Sequence, residues 1–453
     1  MMTTRRRIWG WMFFDWAQQP FYTLGLTFVF GPYFASVAAA YFAGQGLDPG
    51  LADARAQSLW TAGQTVSGLA IALLAPFIGA WADASGRKMP WIAGFAAAYV
   101  LCSAGLWFLM PDGRGLWLAL VLFGLGTFAA EGGINVSNAI LPSLGDERAV
   151  GRISGSGAAF GYWGGVVSLV LMLAFLAENA GGVTLLGRAP AFGLDPVLRE
   201  GTRAVGPFIA LWCVVFMVPF FLWVREPATT ARRVRIGAVA RELGRTLRGL
   251  RHQLSLASYL VSSMLYRDAL NGIYAIGGVY AALVLGWSII EIGVFGVIGA
   301  LTAAVVTWAG GLYDARVGPK PVITVSVWAL VVVSVLVVAM SREQIFGVPL
   351  PPGSRLPDVL FYICGAVIGG AGGSVQAASR TLMVLHSDPA RPAEGFGLFA
   401  LSGKATAFLA PALVTLATAA TGSVRLGVAP VIVLFLVALF LLRFVSPTGE
   451  TQA

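Results

Sequence analysis

Six ionisable residues, Asp15, Glu131, Arg267, Asp268, Arg380 and Lys404, sit inside long apolar stretches of the chain. In a membrane each such charge costs about 2.5–3.5 kcal/mol unless it meets a partner or faces water. Charges kept against that cost either pair into a structural network or line a polar path. Three acids and three bases permit full pairing, so both readings stand. Asp15, Gln18, Gln19, Tyr22 and Thr23 fall on one helical face, a polar stripe suited to a central path. Asp15 also lies near one helix end, which suits a gate. Glu131, Asn135 and Asn138 form a second stripe. A desolvated carboxylate trades protons near neutral pH, which makes Glu131 and Asp268 candidates for proton coupling. Gln376 and Arg380, one turn apart, can read an anionic group, the arginine through its planar fork. Lys404 can do the same as a point charge. The competing pairings are Arg380 with Glu394 and Lys404 with Asp268.

Other chemistries find little support. No phosphate-cradling G-x-x-x-x-G-K-S/T loop occurs, which argues against an ATP-driven pump. No nucleophile, base and orienting residue fall into an enzyme-like pattern. Cys102, Cys213 and Cys364 lie in apolar runs, and His252 and His386 are the two histidines. Neither a disulfide framework nor a metal or cofactor site is expected. The net charge of +9 lies mostly between the apolar runs, as in membrane proteins, so nucleic acid is not an expected partner.

The elements that must position these residues follow from composition. The 453 residues are 57% hydrophobic and 11% charged, against roughly 25% charged in ordinary soluble domains. Lipid is the surface such a chain can cover itself with. A spanning helix needs about 20 mostly apolar residues. Twelve such runs occur, at roughly 9–42, 61–82, 90–110, 116–141, 152–177, 206–224, 256–285, 290–312, 321–340, 357–384, 395–420 and 427–444. They are continuous rather than alternating, which predicts helices, whose backbones bond internally. The first run is too long for a signal-peptide core and contains Asp15, so we read it as a retained helix. The expected fold class is an all-α membrane protein, twelve helices in two pseudo-symmetric six-helix bundles.

The expected domains are 1–225, a cytoplasmic linker at 226–255, and 256–453. In the linker Ile236, Val239, Leu243, Leu247, Leu250 and Leu254 repeat at helical spacing, with Arg241, Arg245, Arg248 and His252 on another face. This predicts an amphipathic helix at the lipid surface; a plain connecting helix is favoured over a regulatory one. Basic residues crowd one set of alternating loops, including the eight arginines from Arg225 to Arg251. Both termini are therefore expected in the cytoplasm, with the chain in a bacterial inner membrane.

Between the second and third runs stands Gly79-Ala80-Trp81-Ala82-Asp83-Ala84-Ser85-Gly86-Arg87-Lys88. It resembles the signature loop of the major facilitator superfamily, G-x-x-x-D-R/K-x-G-R-R/K, with Ala84 as its departure. A degenerate copy with Gly310, Asp314, Gly318 and Lys320 follows the eighth run. Asp15 with Gln18 in the first run is echoed by Asp268 with Asn271 in the seventh, as expected for two related halves around a midplane site.

The chain also resembles the vacuole-effluxer branch of that superfamily. The resemblance rests on Asp15-Trp16-Ala17, Pro32-Tyr33-Phe34, Asn138-Ala139-Ile140-Leu141-Pro142, Ser154-Gly155, Gly161-Tyr162-Trp163-Gly164-Gly165, Tyr266 with Asp268-Ala269-Leu270-Asn271, Gly373 to Arg380, Glu394 to Phe399, and Gly403-Lys404. Gln18-Gln19-Pro20, Ala269 and Gly395 depart from the usual pattern. The resemblance implies a secondary transporter, not an enzyme. It would move a small solute, an amino acid or similar metabolite, outward by alternating access, coupled to protons and acting as a monomer. The alternative is a non-transporting sensor or scaffold with a transporter fold. The expected substrate and coupling residues are Asp15, Gln18, Tyr22, Glu131, Asn135, Asp268, Asn271, Gln376, Arg380 and Lys404. The expected gate comprises Gly79, Asp83, Gly86, Arg87, Lys88 and Asp314.

Overall fold

The structure, a computed structural model, describes residues 4–179, 181–226, 236–287 and 289–449. Six helical segments long and apolar enough to cross a membrane precede the linker: α1 (Thr4–Gly44), α2 (Pro49–Ala84), α3 (Met89–Phe108), α4 (Leu116–Ser143), α5 (Glu147–Phe175) and α6 (Glu200–Trp223). After it come α7 (Leu254–Leu285), 32 residues long, and five more apolar segments: α8 (Glu291–Val317), α9 (Pro319–Ala339), α10 (Leu356–His386), α11 (Pro392–Thr421) and α12 (Val424–Leu442). The protein is an all-α, multi-pass membrane protein. A short antiparallel hairpin, Gln344–Ile345 against Val348–Pro349, joins α9 to α10.

Two of the membrane segments are irregular. In α1 the ring of Pro20 removes a backbone donor. The following turns, Phe21–Phe28, are wide, and the Val29 N–H reaches back to Leu24 O at 3.0 Å. α11 is interrupted: one helix runs Pro392–Ala405 and a second Leu409–Thr421. Pro411, in the first turn of the second piece, has no N–H to give and its ring crowds the Ala407 carbonyl, which interrupts the ladder there.

Contacts divide the chain into two compact units. The first comprises 1–74, 86–137 and 160–231; the second comprises 75–85, 138–159 and 232–453. The second unit therefore includes the ends of α2 and α4 and the start of α5 beside the linker helix and α7 to α12. The first unit is cored by aromatic rings: Phe123 lies 4.9 Å from Phe21, 4.7 Å from Trp60 and 5.6 Å from Phe30, between centroids. In the second, Phe361 stacks between Tyr280 and Phe295 at 5.2 and 4.9 Å. Trp11 and Trp287, whose type suggests interfacial anchors, are instead buried. Each spends its indole N–H internally, on Ser137 O (3.0 Å) and on Asp358 (2.6 Å).

Several helix starts lack a capping side chain of their own, and carboxylates from elsewhere supply it. Orphan N–H groups at a helix start attract negative charge. Glu226, just past α6, accepts from the N–H groups of Lys88 (2.7 Å) and Met89 (3.0 Å) at the start of α3. Glu178, beyond the end of α5, accepts from Thr202 N and Oγ1 in the first turns of α6 and pairs with Arg199 at 3.2 Å. Neither carboxylate stood out in the sequence, because both lie just outside apolar runs.

The linker contains a helix, Ile236–Gly249, whose Val239 is buried while Arg241, Arg245 and Arg248 are exposed. Residues 227–235, with Arg232, Arg233 and Arg235 of the predicted basic stretch, lie outside the described residues.

Candidate functional site

In the first unit the predicted polar stripe of α1 is placed against two helices. On one side it meets α5, where the glycines permit close approach. A methyl at Gly161 would lie 3.1 Å from the Asp15 Cβ, and one at Gly165 would lie 2.5 Å from the Thr23 hydroxyl and 2.9 Å from the Gln19 chain. On the other side the stripe meets α4. Gln18, 3% exposed, approaches Gly133 there. The Gln18 Oε1 and Asn135 Nδ2 are buried without a hydrogen-bond partner. The hydroxyl of Tyr22 is buried and lies in the field of Glu131 and Asp15. The structure thus brings Asp15, Gln18, Tyr22, Glu131 and Asn135 into one polar wedge between α1, α4 and α5. Buried amides with unspent donors and acceptors are costly to leave unpaired.

Aromatic rings wall α1. Trp16 stacks on Phe160 at 4.5 Å, and its carbonyl accepts from the Trp212 indole at 3.1 Å. The sequence offered no sign of this pairing, because Trp212 lies in a run that reads as uniformly apolar.

The second unit holds the gate candidates. Asp83 at the end of α2 accepts from Glu394 N at 2.8 Å in the first turn of α11. Gly79, one turn earlier, packs directly on the Ala393 carbonyl. Gly397 packs on α2 in turn, with its missing methyl 2.5 Å from Ala75 O. A parallel contact joins α5 to α8, where Gly155 and Gly311 meet backbone to backbone. Asp314, in the second motif copy and 4% exposed, lies against Gly151 and Thr381. Both copies turn at a glycine with left-handed backbone, Gly86 (φ 70°) and Gly318 (φ 85°), a conformation other residues resist. Gly86, Arg87 and Lys88 themselves belong to the first unit.

Arg380 is neither solvent-free nor set against Glu394 as its described partner. It donates from Nε to the Ser154 hydroxyl (3.2 Å) and from Nη2 to the Ser154 carbonyl (2.7 Å), tying α10 to α5. Glu394 pairs with Arg391 at 3.5 Å. Asp268, 1% exposed, accepts from Ala410 N at 2.8 Å. Arg267 donates to Phe399 O at 2.9 Å. Lys404 is half-buried, whereas Asn271 and Gln376 are exposed. Asp268, Asn271, Gln376, Arg380 and Lys404 all lie in the second unit.

Comparison with known proteins places this architecture. Solved structures of similar fold include the human organic anion transporter MFSD10 (TETRAN), with TM-score 0.68 and 16% identity over 98% of this chain and 100% of that one. Another is FucP, a major facilitator superfamily transporter in the outward conformation, with TM-score 0.69 and 13% identity over 98% of both chains. A sequence relative, the MFS-type transporter YxiO of Bacillus subtilis (strain 168), is 24% identical over 98% of this chain and 95% of its own length. The description of the family whose model matches residues 146–451 is vacuole effluxer Atg22 like. That match spans most of the chain and contains the α5, α7, α10 and α11 motifs, so the protein belongs to the vacuole effluxer Atg22 like family of major facilitator superfamily transporters.

Proposed function

We propose that this transporter exports an amino acid or similar small metabolite from the cytoplasm, coupled to protons, by alternating access. The working halves are residues 1–225 and 256–453, joined by the 226–255 linker, with both termini cytoplasmic in a bacterial inner membrane and one chain as the working unit. The observation that carries the reading is the second unit's clasp. Asp83 on Glu394 N, Arg380 on Ser154 and the Gly155–Gly311 contact tie segments of the first six helices to the last six at the motif end. Each tie is small and polar or a bare backbone contact, the kind of joint that can part and reform without exposing a large apolar face. Opening it would give the solute a route past the clasp, and reclosing it would seal that route.

The solute contacts assigned here are Asp15, Gln18, Tyr22 and Asn135 from the first half and Asn271, Gln376, Arg380 and Lys404 from the second. Any anionic part of the solute leans on the second half, which carries the bases. Glu131 or Asp268 takes the proton. The family description supports efflux, and the orphan amides of Gln18 and Asn135 support a polar solute.

The test is flux of a labelled mixture of amino acids and small metabolites in proteoliposomes, with and without an inward pH gradient. Gradient-driven movement of an amino acid is the expected result. Binding without movement would replace the proposal with a sensor, and movement of a different solute class would replace the substrate assignment.

A further inference from the structure

Helix α11 is broken between Ala405 and Leu409, where Pro411 denies the ladder a donor and crowds the Ala407 carbonyl. Two consecutive residues of α7 hold its two pieces. Arg267 takes the first. Its Nη1 donates to Phe399 O at 2.9 Å, its guanidinium lies 4.3 Å over the Phe399 ring, and the group fills the space beside Gly403 where a methyl would otherwise be. Asp268 takes the second, accepting from Ala410 N at 2.8 Å in that helix's first turn. The charges match the helix ends they meet: a cation at the closing turns of Pro392–Ala405, an anion at the opening turn of Leu409–Thr421. Close packing completes the hold, since a methyl on Gly272, one turn along α7, would lie 2.9 Å from the Ala410 Cβ. Within the break the remaining backbone bonds are short-range, Ala407 N to Lys404 O and Leu409 N to Thr406 O.

We propose that Arg267 and Asp268 form a splint that sets the angle of a joint in α11, and that Asp268 is a positioning residue rather than the carrier of the coupling proton. A joint needs a fixed partner to work against, and a straight helix would have bonded Ala410 N to a carbonyl of its own ladder. Pro411 opens the ladder at this point, and the Ala410 donor beside it is spent on Asp268, which fixes how the second piece leaves the break. The coupling role then falls to Glu131. The inference rests on the transport reading only for its consequence, because the joint itself is measurable without any solute.

Hydrogen exchange on the full-length protein in lipid nanodiscs reads the joint. In Asp268→Ala the amides of 409–412 should exchange at least tenfold faster, with the change confined to the neighbourhood of the break. Asp268→Asn keeps an acceptor oxygen and the side-chain volume, so its exchange over 409–412 should stay within about threefold of the parent. Gly403→Ala, which displaces the Arg267 guanidinium, should loosen 400–408 in the same assay. Unchanged exchange in Asp268→Ala would overturn the splint. So would an Asp268→Asn protein whose exchange is normal but whose response to a pH gradient is gone, since the carboxyl proton rather than the hydrogen bond would then be what matters. A parent protein that moves no solute yet shows the predicted exchange pattern would leave the splint standing and sink the transport proposal alone.

Discussion

Arg380 of α10 holds Ser154 of α5 by both its hydroxyl and its carbonyl, across 226 positions of sequence. The Ser154 hydroxyl in turn donates to Ala377 O at 2.8 Å, one turn before Arg380 on the same helix. The pair is thus doubly tied, and the stronger tie runs to a backbone atom that no substitution at 154 can remove. This asymmetry gives the first prediction. Ser154→Ala should lose the hydroxyl's two bonds, the long one from Arg380 and the one to Ala377 O, at a cost of about 1–3 kcal/mol. It keeps the carbonyl tie and should leave flux within a few fold. Arg380→Ala should lose both charge-assisted bonds to Ser154, worth roughly 1.5–3 kcal/mol each, and cut flux at least tenfold. Arg380→Lys should resemble the alanine variant, because an ammonium cannot span both acceptors as the fork does. Initial rates in proteoliposomes, set against thermal unfolding of the same preparations, decide this. Equal effects of Ser154→Ala and Arg380→Ala would refute it.

Close backbone contact makes a second, steric prediction. Gly155 meets Gly311 with no room for a methyl, whereas Gly68 in α2 has open space where its methyl would go. Gly155→Ala should therefore destabilise the protein by about 1–3 kcal/mol through overpacking, or hold α5 off α8 and leave that contact open. Gly68→Ala should be neutral or gain up to about 1 kcal/mol of helix propensity. Melting temperature and the labelling rate of a cysteine placed beside Gly155 are the two readouts. A Gly155→Ala protein matching the parent in both would mean the contact does not form in the membrane.

Glu178 supports a third. It is 4% exposed, and its carboxylate holds Thr202 through backbone and hydroxyl while pairing with a partly exposed Arg199. Glu178→Ala leaves those donors without their acceptor and should cost roughly 1.5–3 kcal/mol. Glu178→Gln, which keeps an acceptor, should cost less than half of that. Neither should alter which solute is carried, since the residue tethers the start of α6 rather than the polar wedge. Thermal unfolding measures the first expectation and a solute competition profile the second.

What the sequence made legible follows from where the information sits. The twelve apolar runs, the duplicated signature loop and the polar stripe on α1 are patterns within one segment, and periodicity reports such patterns directly. Asp83 could be read as a gate residue because its motif is local. Its partner, the N–H of Glu394, could not, because a backbone donor carries no residue-type signal. The same holds for Ala410 N under Asp268 and for the Ser154 carbonyl under Arg380. The in-helix pairings suggested by charge, Arg380 with Glu394 and Lys404 with Asp268, assumed that charges seek charges. In the structure Asp268 and Arg380 meet backbone dipoles, which in an apolar medium are strong partners that composition hides. Trp11 is a related case: tryptophan is common at interfaces, but its single donor is here spent on the buried Ser137 carbonyl.

The last prediction concerns the proton. If Asp268 is committed to Ala410, Glu131 is the other coupling candidate, and it shares the wedge of α1 and α4 with Gln18, Tyr22 and Asn135. Glu131→Gln keeps the shape and removes the titrating group. It should therefore still exchange labelled solute across the membrane at equal concentrations, at a rate within a few fold of the parent. It should no longer concentrate solute when an inward pH gradient is imposed, and its exchange rate should lose the pH dependence of the parent. Tyr22→Phe, which removes the hydroxyl beside Glu131 but no charge, should keep the gradient response while shifting the pH at which it is half-maximal. Counterflow and gradient-driven accumulation measured on the same vesicles separate these outcomes. Accumulation by Glu131→Gln equal to that of the parent would take the proton away from Glu131 and return Asp268 to candidacy.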